Sequence, residues 1–426
     1  MLNILRTFLS PRNVLRLAWH QSKTCIAAML YRFPARKLIV IGITGTDGKT
    51  TTVGMIAHIL RITGIQVGAL STAFFRANDL IEWNATQKTS PSPFVIQHFL
   101  HRLVAKGCTH TVIEYSSHGL VQGRTLFTWP SVAAITNTSP EHLDYHGTME
   151  QYRKDKGKLF RMLHGKGTKI LNADDETYNQ YLQIPSERTL SYSLSDPIAS
   201  KISISIPGKF NIENALCALR CAEAIGIPTQ QSLEALRTFA GIPGRMECID
   251  EGQPFTVFID FTVTPAAYEK TLSAIRLTLT AGHRLLVLAG SCGDRMRENR
   301  HLIGNICTEF ADIIVVTNED PYTEDPEKII NEVWNGIDQK MVEAHRIPDR
   351  RKAMTFLFRK AEPGDIVLLC GKGSDITMWI ASGQIPWNER EITRELLRDL
   401  RCESEKRSRP PRQPPEEHTS NENWHR

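Results

Sequence analysis

The sequence predicts an α/β protein: a central P-loop domain on a parallel sheet, followed by a smaller Rossmann-like α/β domain. Three observations carry this. Residues 37–52 run from an apolar, β-branched stretch through a Gly-rich turn into a helix-forming segment. Strand-length apolar runs then alternate with helix-length periodic segments, the rhythm of βαβ units. The alternation stops at Gly241-Ile-Pro-Gly-Arg-Met-Glu247, where glycine and proline mark a hinge, and restarts beyond it. At 426 residues the chain is too long for one ordinary core, so two or three domains are expected.

Residues 1–37 alternate apolar and basic residues at helical spacing, with Pro11 opening a second segment, and form a basic amphipathic preface. They carry Arg6, Arg12, Arg16, Lys23, Arg32, Arg36 and Lys37 and no acid. A solvated helix face accounts for that pattern, and so does a weak contact with a membrane surface or with an anionic partner. The central domain spans 38–243. Strand 38–43, the Gly-rich loop and helix 50–62 come first, then a short apolar stretch at 66–71. Residues 76–93, rich in Thr, Ser and Pro, read as a loop. Helix 94–105, an apolar strand ending at Glu114, strand 131–137, helix 148–163 and strand 168–172 follow. The polar, β-rich 185–207 and helices 211–225 and 229–239 complete this domain. The second domain, 244–402, has strands at 255–260, 284–290, 312–317 and 365–370, with helices at 265–278, 301–309, 326–335, 349–360 and 389–401. Residues 403–426, with Arg-Pro-Pro-Arg-Gln-Pro-Pro, are a polar tail expected to be disordered.

The bulk properties exclude several classes. The 41% hydrophobic fraction is that of a soluble globular chain, and no run of 18 apolar residues exists to span a bilayer. A net charge of +5 is mild and gives no case for a nucleic-acid partner. Nine cysteines, an odd number without a CxxC pair, suggest reduced thiols in a cytoplasmic protein. Cys217 and Cys221, one helical turn apart, suit core packing better than a metal.

The chemistry concentrates at strand ends. Gly45, Thr46, Asp47 and Gly48 turn backbone N–H groups toward a polyphosphate, Lys49 adds a charge, and the Thr50 hydroxyl, with Thr51 after it, can reach a magnesium ion. The strict Walker spacing is not met, because its first glycine would fall at Ile43. Glu114, ending an apolar strand beside Ser116, Ser117 and His118, is placed to hold magnesium through oxygen, although a lone Glu there would be a solvated acid. His142 and His146, at i and i+4, invite a zinc reading. No cysteine or metalloprotease Glu supports it, and Pro140 and Gly147 around them suggest a loop. Lys156 and Lys158 would by default be solvated helix lysines.

Six stretches in order resemble the Mur ligase family, the ATP-dependent enzymes that form peptide bonds in peptidoglycan precursors, with the tripeptide-synthetase branch nearest in pattern. They are Gly-Ile-Thr-Gly-Thr-Asp-Gly-Lys-Thr-Thr-Thr, Glu-Tyr-Ser-Ser-His-Gly-Leu, Thr-Asn-Thr-Ser-Pro-Glu-His-Leu-Asp-Tyr-His-Gly-Thr-Met-Glu, Gly-Lys-Phe-Asn-Ile-Glu-Asn-Ala, Pro-Gly-Arg-Met-Glu and Gly-Lys-Gly-Ser-Asp, within about 38–400. The resemblance implies ATP and Mg2+ as cofactors, and a muramyl-peptide acceptor and a free amino acid as substrates of a monomeric enzyme. It implies that Lys49 and Thr50 meet the phosphates and first magnesium, with Glu114 and His142 in the metal shell. Lys156 stands where the family has a carbamylated lysine, which would turn a cation into a carboxylate-like ligand. Asn211 and Asn214 match the adenine side; Arg245 and Asp260 match residues that reach ATP across the hinge. Thr89, Ser90, Ser116 and Arg124 fall where the family holds the acceptor's peptide end.

Four departures bear on these expectations. The family's UDP-binding N-terminal domain has no room in 37 residues, so the basic preface replaces it or marks another carrier, such as a lipid-linked one. Val263 stands where the family has a histidine and cannot hydrogen-bond. Glu319-Asp320-Pro321-Tyr322 replaces Asp-Asn-Pro-Arg, losing a bidentate carboxylate partner. Gly371-Lys-Gly-Ser-Asp375 replaces Gly-Lys-Gly-His-Glu. Arg300 remains a candidate carboxylate clamp, and Asp320 with Asp375 would suit an amino acid with a basic side chain. The competing readings are a folylpolyglutamate- or cyanophycin-type ligase, and a nucleotide-binding scaffold that has lost ligation.

Overall fold

The structure, a computed structural model, describes residues 12–86, 88–294 and 297–408. The expectations for residues 1–11 and for the tail beyond 408 lie outside the described residues. The helix Val14–Leu30, capped by the Asn13 side chain on Leu15 N–H at 3.0 Å, precedes the first strand. Eight strands then form one sheet: β1 (Ile39–Thr44), β2 (Val67–Leu70), β3 (Phe74–Ala77), β4 (Leu80–Trp83), β5 (His110–Glu114), β6 (Val132–Ile135), β7 (Thr168–Asn172) and β8 (Arg188–Tyr192). Their order is β4-β3-β2-β5-β1-β6-β7-β8, and all pairings are parallel except β2 with β3 and β3 with β4.

The apolar runs of β1, β5 and β6 make sense in this position. Val40, Ile41, Ile43, Val112, Ile113 and Ala134 are buried because helices cover both faces of a parallel sheet. On one face the helix Lys49–Ile62 packs with the helix Lys209–Ala224, where Cys217 and Cys221 are buried in the core. On the other lies the helix Pro93–Ala105.

The second sheet has β9 (Glu247–Ile249), β10 (Thr256–Asp260), β11 (Leu285–Ala289), β12 (Ile313–Val316), β13 (Glu343–Arg346) and β14 (Ile366–Cys370), in the order β13-β12-β11-β14-β10-β9. Only β9 runs antiparallel. A two-stranded ribbon, β15 (Thr377–Ile380) and β16 (Gly383–Pro386), stands apart. Between the two sheets, Gly244 has φ +69°, and a Cβ there would meet Ser374 N at 2.1 Å, so the chain can turn this close to the Gly373-Ser374 backbone only at glycine.

Several local expectations need correction. Residues 76–93 are not a loop throughout: β3 and β4 form a hairpin closed by Asn78, φ 55°, and Asp79. The Asn-Asp turn carries that signal, masked by the Thr, Ser and Pro that follow. The helix expected at 148–163 is divided into Met149–Lys156 and Lys158–Arg161, preceded by a short turn of helix at Leu143–His146. The short edge strands β9 and β13 and the β15–β16 ribbon lack the long apolar runs that mark buried strands. The tail expected from 403 begins in helix, since Glu389–Ser408 is continuous and Glu403 bonds Arg359 at 3.0 Å.

Candidate active site

The reversal of strand order around β1, between β5 and β6, opens a crevice at their carboxyl ends. There the Gly-rich loop enters the helix Lys49–Ile62 with Gly48 at φ 77° and without a side-chain cap, so the first N–H groups of a 14-residue helix point into the crevice. The loop is held rigidly. Thr136 donates to Asp47 O at 2.6 Å, Asn137 Oδ1 accepts from Asp47 N at 3.0 Å, and Lys49 Nζ donates to Thr46 O at 2.6 Å. A Cβ on Gly45 would fall 1.8 Å from Thr136 Oγ1, and one on Gly48 2.1 Å from Asn214 Oδ1. Asp47 Oδ2 is buried without a hydrogen-bond partner among the described residues, and burial, then Glu141, raises the Asp47 pKa.

Glu114 ends β5 beside this loop. Thr50 Oγ1 donates to its Oε2 at 2.9 Å, Thr72 N–H donates to the same oxygen at 2.8 Å, and the Thr72 hydroxyl stands 3.0 Å from Oε1. Lys156 comes from the helix Met149–Lys156. It is buried, donates to Gly45 O at 2.5 Å, and lies 4.3 Å above the Tyr152 ring. Burial, then the Lys49 charge, brings its pKa down to about 7. The default of a solvated helix lysine is therefore wrong for Lys156. His142, φ 54°, borders the same cleft with its Nε2 3.4 Å from Glu141.

His146 takes no part in a metal pair. It is buried between Ser117 Oγ at 2.9 Å and Asp155 Oδ2 at 2.8 Å, and Arg12 donates to that same Asp155 oxygen at 2.7 Å. Burial works against the Asp155 charge, but the hydrogen bonds from His146, Arg12 and Lys158 outweigh it and hold the carboxyl well below the usual range. This post fixes the helix that carries Lys156.

The cleft measures about 550 Å³, within the range of a small-molecule site, and is lined from both sheets. Gly45, Thr46, Asp47, Gly48, Lys49, Thr50, Thr51, Thr89, Glu114, Ser116, His142, Lys156, Asn211, Asn214, Arg245, Asp260, Asp320 and Asp375 all border it. Ser90 and Arg124 stand behind this wall: Ser90 Oγ accepts from Ser116 N at 3.1 Å, and Arg124 donates to Ser90 O at 2.7 Å. Asn214 Oδ1 accepts from Thr52 at 3.3 Å, and Asn211 donates to Pro207 O at 2.6 Å. Arg245 lies 4.1 Å over Phe261, its Nε buried and without a hydrogen-bond partner among the described residues. Asp260 accepts from Met246 N at 2.7 Å and from the Thr262 hydroxyl, and so holds the hinge backbone.

Arg300 is the clear correction. It is fully buried, bonded to Glu324 and Glu332, and absent from the cleft wall, so it has no fork to offer an amino-acid carboxylate. The buried Lys372, inside the Gly371-Lys-Gly-Ser-Asp375 stretch, carries no site role in the sequence pattern. It donates to both oxygens of Asp320, at 2.8 and 2.9 Å, and reaches Asp375 at 3.4 Å. Burial opposes its charge, and Asp375 and Asp320 together more than restore it. Thr72 and Lys270, also on the cleft, carried no motif; Thr72 owes its place to β2 pairing with β5.

These donors fit a nucleotide and a hard cation under one condition. Among the described residues no group of three His, Cys, Asp or Glu could hold a metal ion by itself. Thr50, Glu114 and His142 supply three donors of mixed type, and a lysine is useless to a cation unless its amine becomes oxygen-bearing. Lys156 is the buried amine that spends a large fraction of its time neutral near pH 7, the state that can react with CO2.

Two family models match the chain: the Mur ligase middle domain over residues 43–200, and the Mur ligase glutamate ligase domain over residues 244–373. The UDP-N-acetylmuramyl-tripeptide synthetase of Roseiflexus sp. (strain RS-1) is 35% identical over 416 residues, covering 88% of this chain and 81% of that protein. A UDP-N-acetylmuramoyl-L-alanyl-D-glutamate–2,6-diaminopimelate ligase of Thermosynechococcus vestitus is 34% identical over 404 residues, covering 88% and 80%. Among solved structures, a diaminopimelate ligase of the same description matches with a TM-score of 0.60 at 26% identity, over 89% of this chain and 83% of that one. A Mycobacterium tuberculosis folylpolyglutamate synthase matches with a TM-score of 0.66, over 92% and 96%, and at 16% identity it shows the fold alone.

Proposed function

The chain belongs to the Mur ligase family, and from that premise we propose how its cleft joins an amino acid to a muramyl peptide at the expense of ATP. It is an ATP-dependent carboxylate–amine ligase of peptidoglycan precursor synthesis. The observation that supports our assignment of roles is the convergence of Thr50, Glu114 and Lys156 on one glycine turn, through contacts of 2.9 and 2.5 Å.

In this reading the ATP-binding unit is 38–243 and the second unit 244–402. The loop N–H groups and Lys49 bind the phosphates, with Asn211, Asn214, Arg245 and Asp260 toward the nucleoside. Thr50, Glu114, His142 and a carbamylated Lys156 would hold Mg2+, which when bound would supply positive charge against the phosphoryl oxygens. Thr89 and Ser116, braced from behind by Ser90 and Arg124, orient the acceptor so that its carboxylate oxygen attacks the γ-phosphorus and ADP departs. The amino acid's nitrogen then attacks the acyl carbon of the acyl phosphate, losing a proton as phosphate leaves. Closure of the two units over the cleft would exclude the water that hydrolyses the acyl phosphate.

At the amino-acid end, the Lys372 ammonium pairs with Asp320 and reaches Asp375, with Arg245 a second cation acting on Asp375, and these carboxyls lie on the cleft beside Tyr322 and Trp379, rings stacked with centroids 5.6 Å apart. We assign Asp320 and Asp375 to a basic side chain on the incoming amino acid. The test is phosphate release and product mass with ATP, magnesium, a muramyl dipeptide acceptor and single amino acids. Equal rates with lysine and alanine would discard the basic-side-chain assignment, and acceptor-independent turnover would discard the ligase roles.

A further inference from the structure

The helix Val14–Leu30 is amphipathic in the unexpected sense. It docks through small and polar residues, with Thr24, Ala27 and Ala28 buried and Thr24 donating to Gly123 O at 2.9 Å. Its outward face carries Val14, Leu15, Trp19, Ile26, Met29 and Leu30, each 49–78% exposed. At 100° per residue these six fall within one half of the helix surface, a stripe about 25 Å long. Scattered exposed apolar residues need no explanation, but six on one half of a helix, broken only at exposed Ser22, mark a contact surface.

Charge identifies the partner. Residues 1–37 contain seven lysines and arginines and no acid. On the described part, Lys23 lies over the Trp19 ring at 4.8 Å, and Arg32, Arg36 and Lys37 are exposed just past the helix end. A protein partner would need a long apolar groove rimmed only by acids. An anionic bilayer offers both parts at once: headgroups for the cations, and an acyl boundary for Leu15, Trp19, Ile26 and Leu30. No described helix is long and apolar enough to cross a membrane. We propose that this face of the helix Val14–Leu30 lies on the surface of an anionic membrane.

The consequence for the site follows from where the helix is tied. Thr24 is bonded next to Arg124, and Arg12 to Asp155, the neighbour of Lys156. Docking therefore holds Gly123, next to Arg124, within about one helix diameter of the bilayer, within reach of a membrane-anchored muramyl peptide. That extension rests on the ligase reading; the docking itself does not.

The test is co-sedimentation of the full-length chain, without nucleotide or acceptor, with phosphatidylcholine vesicles and with vesicles containing about a third phosphatidylglycerol. The expected result is binding to the anionic vesicles only, lost at high salt. Trp19→Ser with Ile26→Ser, on exposed positions, should weaken it about tenfold or more, as should Lys23→Glu with Lys37→Glu, while leaving ligase turnover on a soluble acceptor unchanged. Absence of vesicle binding, equal binding to neutral vesicles, or serine variants that bind as well as the parent would each overturn the proposal. Self-association abolished by the serine changes, without vesicle binding, would overturn it in favour of a contact between copies.

Discussion

Replacing Lys156 by methionine separates what this side chain contributes to catalysis from what it costs the fold. With a pKa of about 7, Lys156 is neutral in about half of the molecules at pH 7, against roughly one in three thousand for an ordinary lysine, a gain of about a thousandfold in reactive amine. The same shift carries a stability cost. The folded pKa lies below the unfolded one, so between about 7 and 10.5 the unfolded chain binds more protons and stability rises with pH; below about 7 the penalty is fully present. At pH 7 it amounts to roughly 4 kcal/mol. In CO2-free buffer Lys156→Met should therefore melt higher than the parent at pH 7, with the gap closing toward pH 10. It should also lose acyl-phosphate formation by a factor of about 100 or more. Bicarbonate should raise the melting temperature and rate of the parent alone, and carbon-13 bicarbonate should give a carbamate resonance that the variant lacks. A parent indifferent to bicarbonate, together with a methionine variant of normal rate, would refute the reasoning.

Three further outcomes follow from particular contacts. Gly48→Ala places a Cβ 2.1 Å from Asn214 Oδ1 at a φ of +77°, at a cost of about 1–3 kcal/mol, and should weaken nucleotide binding about tenfold or more by calorimetry; unchanged affinity would mean that the loop is not held as described. Arg300→Met leaves Glu324 and Glu332 without their buried cation and should destabilise by about 3–5 kcal/mol in urea titrations; a large rise in amino-acid KM with unchanged stability would restore Arg300 as a clamp. Asp155→Asn removes the charge that holds His146 and Arg12, and should lower kcat several-fold with little change in the KM for ATP. It should also cost about 3 kcal/mol of stability; loss of ATP binding instead would place Asp155 at the nucleotide.

How much of this was readable beforehand depends on range. The loop 45–51 and its flanking strand and helix were legible because a β-branched run, glycines and a helix former are contiguous, and each acts within a few residues. The hairpin of β3 and β4 was missed because its signal is only two turn residues long. Glu114 was legible as a strand-end acid, but not its partners: Thr50 is 64 positions away, and Thr72 meets it only because β2 and β5 pair.

Local periodicity and turn chemistry in the sequence by themselves determined the α/β class, the Gly-rich loop between strand and helix, and the Gly-Pro turn between the two sheets, since these depend on backbone geometry between near neighbours. Only the tertiary structure decided which charges face the cleft. Lys156 reads as a surface lysine and is buried against Gly45, while Arg300 reads as a free clamp and is consumed by two glutamates. The helix Val14–Leu30 belongs with them, because its spacing marks an apolar face but not the side that it turns to the protein. The reason is common to all three: a polar or apolar group's state is set by what surrounds it after the sheets assemble, and that surrounding comes from distant parts of the chain.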